Sequence, residues 1–264
     1  MKKPLIIAHR GASNFAPENT FGAFRRAIDC GAEGLEFDVQ LSKDKVPMVI
    51  HDFDLKRLGG RADFVKNLTA DELQKIDVGS WFNRRYKERF DESFSNEIVP
   101  TFGGLLEFLE YYQGILYVEL KFADNAVEKS VEKVCEMISE SKFLSQVKLK
   151  SFNLKAVKYA KETFPAIRTV ALFEPQFKTV FRKRTAIFDA AEAYLADEIS
   201  LHYSLATRKT VENAKKRNLP VTIWTVDQTV WVKRAIDLGI EAIISNNPAR
   251  LLAEKQIFAV KNPS

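Results

Sequence analysis

Several short apolar runs in this chain end in residues that could do chemistry. The first, Leu5–Ala8, ends in His9-Arg10, and the third, Val46–Ile50, ends in His51-Asp52. The second reads Leu35-Glu36-Phe37-Asp38-Val39 and the fourth reads Val118-Glu119-Leu120-Lys121. Side chains alternate along a strand, so Glu36 and Asp38 share one face, as do Glu119 and Lys121. Three carboxylates without a thiolate make an all-oxygen site. Such a site suits a hard divalent cation, Mg²⁺ or Ca²⁺, with Mn²⁺ a third candidate. His9 and His51 carry imidazoles that exchange protons near neutral pH and can serve as general acid and base. Arg10 and Lys121 can hold an oxyanion, the arginine through two parallel hydrogen bonds. A cation, an acid–base pair and cationic clamps together suit phosphoester cleavage.

Each residue alone has a plainer reading. A carboxylate at a strand end is commonly solvated or paired, and Glu119 and Lys121 could merely neutralise each other. Concurrence is what favours a site: two of the chain's three histidines end strands in this one group. The third, His202, lies in a weaker context and reads as structural.

The elements that must position these residues alternate along nearly the whole chain. Strands are expected at Leu5–Ala8, Leu35–Val39, Val46–Ile50, Leu116–Leu120, Val147–Lys150, Arg168–Phe173, Ala193–Ile199, Val221–Thr225 and Ala242–Ser245. Between many of them lie helical periods, such as Phe21–Cys30 stopping at Gly31, and Asp124–Glu140 with Val127, Val131, Val134, Cys135 and Ile138 on one stripe. Asn153 is a candidate cap for the helix that ends before Pro165, and Asp227 for Thr229–Leu238. About eight strand–helix units imply a (β/α)₈ TIM barrel whose active site lies at the C-terminal ends of the strands. Nine strand candidates compete for eight places, and Ala193–Ile199, with Asp197 and Glu198 inside it, is the weakest. The link from Val39 to Val46 is also too short for a helical crossover, so its helix is missing or the two runs are not ordinary barrel neighbours. Residues 53–101 read as a small insertion after the third strand, packed over one end of a single domain spanning 1–264. It contains a capping box, Thr69-x-x-Glu72.

Composition narrows the class further. The chain has 264 residues, 46% hydrophobic and 28% charged, as in an ordinary globular protein. No apolar run approaches the roughly 18 residues needed to span a membrane, so no stable membrane insertion is expected. Met1-Lys2-Lys3-Pro4 enters the first strand at once and leaves no room for a signal peptide. Cys30 and Cys135 form no C-x-x-C and read as reduced thiols of a cytoplasmic protein. The net charge of +5 is gathered in Asn83–Arg89, Phe181–Arg184 and Lys215–Arg217. These runs lie among acidic neighbours, which argues against nucleic acid as a partner and fits solvated helix faces. Gly11–Phe15 lacks the second glycine of a nucleophile elbow, and no P-loop, G-x-G-x-x-G or H-E-x-x-H is present.

At His9-Arg10-Gly11, Pro17-Glu18-Asn19-Thr20, Glu36-Phe37-Asp38-Val39, His51-Asp52, Glu119-Leu120-Lys121, Ser151-Phe152 and Trp224-Thr225-Val226, the chain resembles the glycerophosphodiester phosphodiesterase family. The motifs occur in that family's order. The resemblance implies a TIM-barrel enzyme that hydrolyses small-molecule glycerophosphodiesters to glycerol 3-phosphate and an alcohol with a divalent cation. It implies His9 and His51 as the acid–base pair and Glu36, Asp38 and Glu119 as metal ligands. Arg10 and Lys121 would contact the phosphate, and Trp224 would wall the glycerol side. Two alternatives are a lipid-directed, lysophospholipase D-like phosphodiesterase, served by Phe53, Phe64, Phe82, Phe90 and Phe94, and a non-catalytic phosphate- or nucleic-acid-binding barrel. The chain departs from the family at three places. Ser245-Asn246-Asn247-Pro248 replaces Thr-Asp-x-Pro, Asp227 replaces an asparagine after Trp-Thr-Val, and Gly103-Gly104 replaces acidic residues. The alcohol, the metal in use, the choice between cyclic-phosphate and direct water attack, and the oligomeric state stay open at this level.

Overall fold

Alternation along the strands decides which side chains the sheet turns inward, and the sheet closes on itself. The computed structural model describes residues 3–122, 127–175 and 185–261. Its strands are β1 (Leu5–His9), β2 (Gly34–Leu41), β3 (Pro47–Val49), β4 (Ile115–Leu120), β5 (Val147–Ser151), β6 (Arg168–Phe173), β7 (Glu198–His202), β8 (Val221–Trp224) and β9 (Ala242–Ser245). They form a nine-stranded sheet in the order β1-β9-β8-β7-β6-β5-β4-β2-β3, closed by a further pairing of β1 with β2. Every pairing is parallel except β2 with β3. Removing β3 leaves eight parallel strands and the expected (β/α)₈ barrel.

The strand outside the barrel is therefore β3, not the Ala193–Ile199 run that looks weakest in sequence. The connection from β2 to β3 is a tight turn in which Ser42 N donates to Val46 O and Lys45 takes φ 66°. So short a link can reverse the chain but cannot carry a helix. The seventh strand exists but begins later, because residues 186–193 are helical and the chain turns at Leu195, φ 57°. The two acids that weakened that reading are both satisfied. Asp197 accepts from Thr169 N at 2.8 Å and Lys161 Nζ at 2.9 Å, while Glu198 points inward onto Tyr117, Lys148 and Thr222.

On β2 the outward face carries Leu35, Phe37 and Val39, which join Phe24, Ala27 and Phe102 of the flanking helices in one core. Phe37 meets Phe24 edge-on at 5.8 Å and Phe102 at 6.0 Å. The helix Phe21–Asp29 starts as expected, with Thr20 accepting from Ala23 N. Asn153 likewise caps Leu154–Thr163. Asp227 does not cap a helix. Val230–Leu238 begins at Thr229 without a side-chain cap, and Asp227 bonds elsewhere. Asp124 and the basic run 181–184 lie outside the described residues.

Between β3 and the helix Phe102–Phe108 the insertion is a string of short helical turns with the Thr69–Glu72 capping box in place. Its larger apolar cluster includes Met48 of β3, and its smaller one sets Phe82 and Phe94 against Ala23 of the first barrel helix. Cys30 and Cys135 are both free, and no helix among the described residues is long and apolar enough to cross a membrane.

Phe37 is fully buried where strand meets helix, so Phe37→Ala is expected to cost about 3–5 kcal/mol of stability through lost burial and a residual cavity. Urea unfolding followed by circular dichroism measures it.

Candidate active site

Register across four neighbouring barrel strands assembles the acidic centre. Asp38 on β2 lies opposite Glu119 on β4, which lies opposite Lys150 on β5, and His9 on β1 lies opposite Glu36. Residues paired in register point the same way, so these side chains converge inside the C-terminal mouth of the barrel. Glu36, Asp38 and Glu119 are buried and each offers an oxygen within 4.8 Å of the others.

Three cations offset them. Lys150 Nζ lies 2.6 Å from Glu36 Oε1 and 3.2 Å from Glu119 Oε2. Lys121 Nζ contacts Glu119 Oε1 and lies 3.3 Å from Asp38 Oδ1, and Arg10 Nε lies 3.1 Å from Asp38 Oδ2. Burial works against the charge on Asp38, but Arg10, Lys121 and His51 outweigh it and hold its carboxyl well below the usual range. Burial likewise opposes ionisation of Glu36, yet Lys150 and His9 keep it low. Lys121 and Lys150 are raised above an ordinary lysine because the carboxylates overcome their desolvation. Glu36 Oε1, Asp38 Oδ1 and Glu119 Oε1 are thus held by the lysines as ion pairs, although their angles fall outside hydrogen-bond geometry. A compact, buried, all-carboxylate set of oxygens fits a hard divalent ion.

The two histidines reach this centre by different routes. His9 ends β1, with Nε2 3.8 Å from Glu36 Oε2 and Nδ1 2.7 Å from Asn246 Oδ1. Burial pushes its imidazole below the usual value, against the pull of Glu36. His51 does not end a barrel strand. It follows the antiparallel β3, which runs back down beside β2 until Ile50 N bonds Asp38 O at 3.0 Å. The hairpin thus carries His51 back to the level of the acids, and its Nδ1 lies 2.7 Å from Asp52 Oδ1. Gln40, on the inward face of β2, braces this turn by donating to the carbonyls of His51 and Asp52.

The loop after β1 is locally strained into place. Arg10 takes φ 54° and Gly11 φ 80°, and a β-carbon on Gly11 would fall 2.6 Å from the backbone of Ala23. Gly11 is therefore needed for its turn and for close packing on the first helix. Asn19, φ 58°, donates to Asp38 Oδ2 at 2.9 Å, so Thr20 alone does the capping. Glu18 accepts from Arg10 and, through both oxygens at 2.7 Å, from Arg57 of the insertion. Arg57 also holds Asp52 at 2.7 Å.

Trp224 ends β8 on the same rim and meets Phe152 edge-on at 5.6 Å and His202 at 5.5 Å. With β7 ending at His202, the third histidine also stands on the rim, bonded to Ser204. Sequence reasoning missed Lys150, Glu18, Asn246 and Asp227 as members of the site. For Lys150 a signal existed: Val147-Lys148-Leu149-Lys150 alternates as Glu119-Leu120-Lys121 does, with both lysines on the inward face.

Glu18, Asp38 and Asp52 are all held below the ordinary carboxylate range against their burial, Glu18 chiefly by Arg57 and Asp52 by His51 and Arg57 together. Groups depressed in this way stabilise the fold above their unfolded pKa, and that stability is lost as pH falls through the folded value. Melting temperature is expected to fall gently below about pH 6.5, where the unfolded chain protonates His9 more readily than the folded one, and steeply below about pH 4.5. Arg57→Met should lower it at neutral pH and make the acid decline shallower, as calorimetry across pH can test.

Residues 9–250 match the model of the glycerophosphoryl diester phosphodiesterase family. A glycerophosphodiester phosphodiesterase of Caldanaerobacter subterraneus subsp. tengcongensis is 32% identical over 252 residues, 95% of this chain and 97% of that protein. The solved structure of a glycerophosphodiester phosphodiesterase from Agrobacterium tumefaciens superposes with a TM-score of 0.76 at 26% identity, covering 95% of this chain and 99% of that one. A phosphodiesterase of Oleispira antarctica, solved with its product sn-glycerol-3-phosphate, shares the fold with a TM-score of 0.83 at 24% identity, covering 96% and 97%. With the barrel, the ordered motifs and a match over nearly its whole length, the chain is an enzyme that belongs to the glycerophosphoryl diester phosphodiesterase family.

Proposed function

We propose that the chain hydrolyses glycerophosphodiesters to glycerol 3-phosphate and an alcohol, with Glu36, Asp38 and Glu119 holding a divalent cation and His9 and His51 transferring the protons. The observation that carries this reading is the convergence of three buried carboxylates, with oxygens within 4.8 Å of one another, beside two rim histidines. Residues 1–264 act as one domain in which the insertion walls the mouth, and the two free thiols fit a cytoplasmic setting.

A bound Mg²⁺, Ca²⁺ or Mn²⁺ would polarise the phosphoryl oxygens and offset charge building in the transition state. Arg10 and Lys121, already at the carboxylates, bind the remaining phosphate oxygens. Each histidine has its Nδ1 engaged, by Asn246 or by Asp52, which leaves Nε2 to act on the substrate. One imidazole removes a proton from the attacking hydroxyl, whether water or the substrate's own 2-hydroxyl, and the other protonates the leaving oxygen. Trp224 and Phe152 form an aromatic wall for the glycerol side.

A lysophospholipid substrate would need an apolar groove. Of the insertion's phenylalanines, Phe82 and Phe94 are buried in its core while Phe53, Phe64 and Phe90 are exposed, and the space beside Glu18 and Asn246, about 730 Å³, is bordered by Arg57, Arg84 and Arg85 as well as Trp81 and Tyr86. Three arginines beside Glu18 and Asn246 favour a polar alcohol over an acyl chain.

Purified enzyme is expected to release glycerol 3-phosphate from glycerophosphocholine or glycerophosphoethanolamine, to stop on chelation and to recover with one of the three cations. His9→Ala and His51→Ala should each lower kcat by about 10²–10⁴-fold. Full activity after both substitutions would refute the assignment. Glycerophosphoethanolamine should be turned over faster than a lysophospholipid, and the reverse order would favour the lipid-directed reading.

A further inference from the structure

Asn246 stands one residue beyond β9, between His9 and Asp227, and its side chain is held from both ends. Its Nδ2 donates to Asp227 Oδ2 at 3.0 Å. Its Oδ1 accepts from Ser13 Oγ at 3.0 Å and lies 2.7 Å from His9 Nδ1. A carboxylate can only accept, so the amide nitrogen must face Asp227 and the amide oxygen must face His9. An amide oxygen also can only accept, so the proton of a neutral His9 must sit on Nδ1. The nitrogen left with a lone pair is Nε2, which faces Glu36 and the barrel mouth.

Asp227 is itself pinned. Its Oδ1 accepts from Ser245 Oγ and Asn246 N, both at 2.8 Å, and from Asn247 N at 3.3 Å. These bonds tie the loop after β8 to the loop after β9 and leave Oδ2 aimed at the Asn246 amide. Sequence supports the pairing from another side. Asp227 and Asn246 lie at two of the three places where the chain departs from the family pattern, and they depart reciprocally, with acid and amide exchanged. An amide at 227 bonded to an acid at 246 would present an accepting oxygen to His9 just as the present pair does.

We infer that Asp227, acting through Asn246, is a positioning residue that keeps the His9 proton on Nδ1 and so reserves Nε2 for proton transfer with the substrate. The inference rests on the reading of His9 as one of the acid–base pair. His51 reaches the same end by a shorter route, since Asp52 accepts from its Nδ1 directly. The two imidazoles are thus oriented alike, one by a neutral amide and one by a carboxylate.

Asp227→Asn keeps the shape but sets two donors face to face. The Asn246 amide then turns over, offers Nδ2–H to His9 Nδ1 and moves the imidazole proton to Nε2. The test is nitrogen-15 NMR of the full-length protein labelled at histidine, at about pH 8 where a free imidazole is neutral, with the His9 signals assigned through His9→Gln. The unaltered chain should show the Nδ1–H tautomer and Asp227→Asn the Nε2–H tautomer. Its kcat on glycerophosphocholine should fall about 100-fold with KM changed less than about threefold. Asn246→Asp alone sets two acids against each other and should also fall. Asp227→Asn combined with Asn246→Asp rebuilds the pair in reverse and should restore both the Nδ1–H signal and kcat to within about fivefold.

An unchanged His9 tautomer in Asp227→Asn, or a double variant no better than either single one, would overturn the inference. If Asp227→Asn does not fold, Asn246→Ala takes its place, and there a fully retained Nδ1–H signal would count against it. Absence of glycerol 3-phosphate release by the unaltered chain would instead defeat the proposed function, and the tautomer measurement would still stand.

Discussion

Burying three carboxylates within 4.8 Å of one another is the constraint around which this barrel is arranged. A lone buried ion costs several kcal/mol, and neighbouring like charges raise that further. The cost is offset locally, by Arg10 from the loop after β1, Lys121 from beyond β4 and Lys150 from β5. Each cation lies on, or just beyond, a different strand, so the acids and their partners meet only when the strands pair in the observed register. A slip of one residue would turn Glu36, Asp38 and Glu119 outward among Phe24 and Phe102.

A second polar group supports the first from below. Glu198 on β7 accepts from Tyr117, Lys148 and Thr222, so four strands are joined across the barrel interior beneath the acidic centre. Ile7, Val170, Ala242 and Ile244 fill the space around Tyr117. The floor of the site is therefore a packed layer, as barrel interiors are. The cations above it stay charged because the carboxylates overcome desolvation, a balance that holds only while that layer keeps its shape.

The upper wall depends on one arginine. Arg57 bonds Glu18 from the loop after β1 and Asp52 beside His51, and lies over the Trp81 ring at 5.6 Å. It thereby joins the insertion, the first loop and the β3 hairpin in a single network. Because the hairpin delivers His51 and the first loop delivers Arg10, that network also sets how the two sides of the mouth face each other.

Much of this was legible in the linear pattern. The eight-strand alternation, the inward pairs Glu36/Asp38 and Glu119/Lys121, the histidines at 9 and 51, the Asn153 cap and the Thr69 box all follow from residue type and periodicity, which are local properties of the backbone. The short link from Val39 to Val46 also announced an irregular pairing. What only the folded chain decided is long-range. The antiparallel return of β3, the late start of β7 and the arrival of Lys150 depend on which strands become neighbours. So does the turn of Asp227 away from its helix toward Asn246, 19 residues later. A strand's period states which face a side chain takes but not which partner it meets, because partners are chosen by register across the closed sheet.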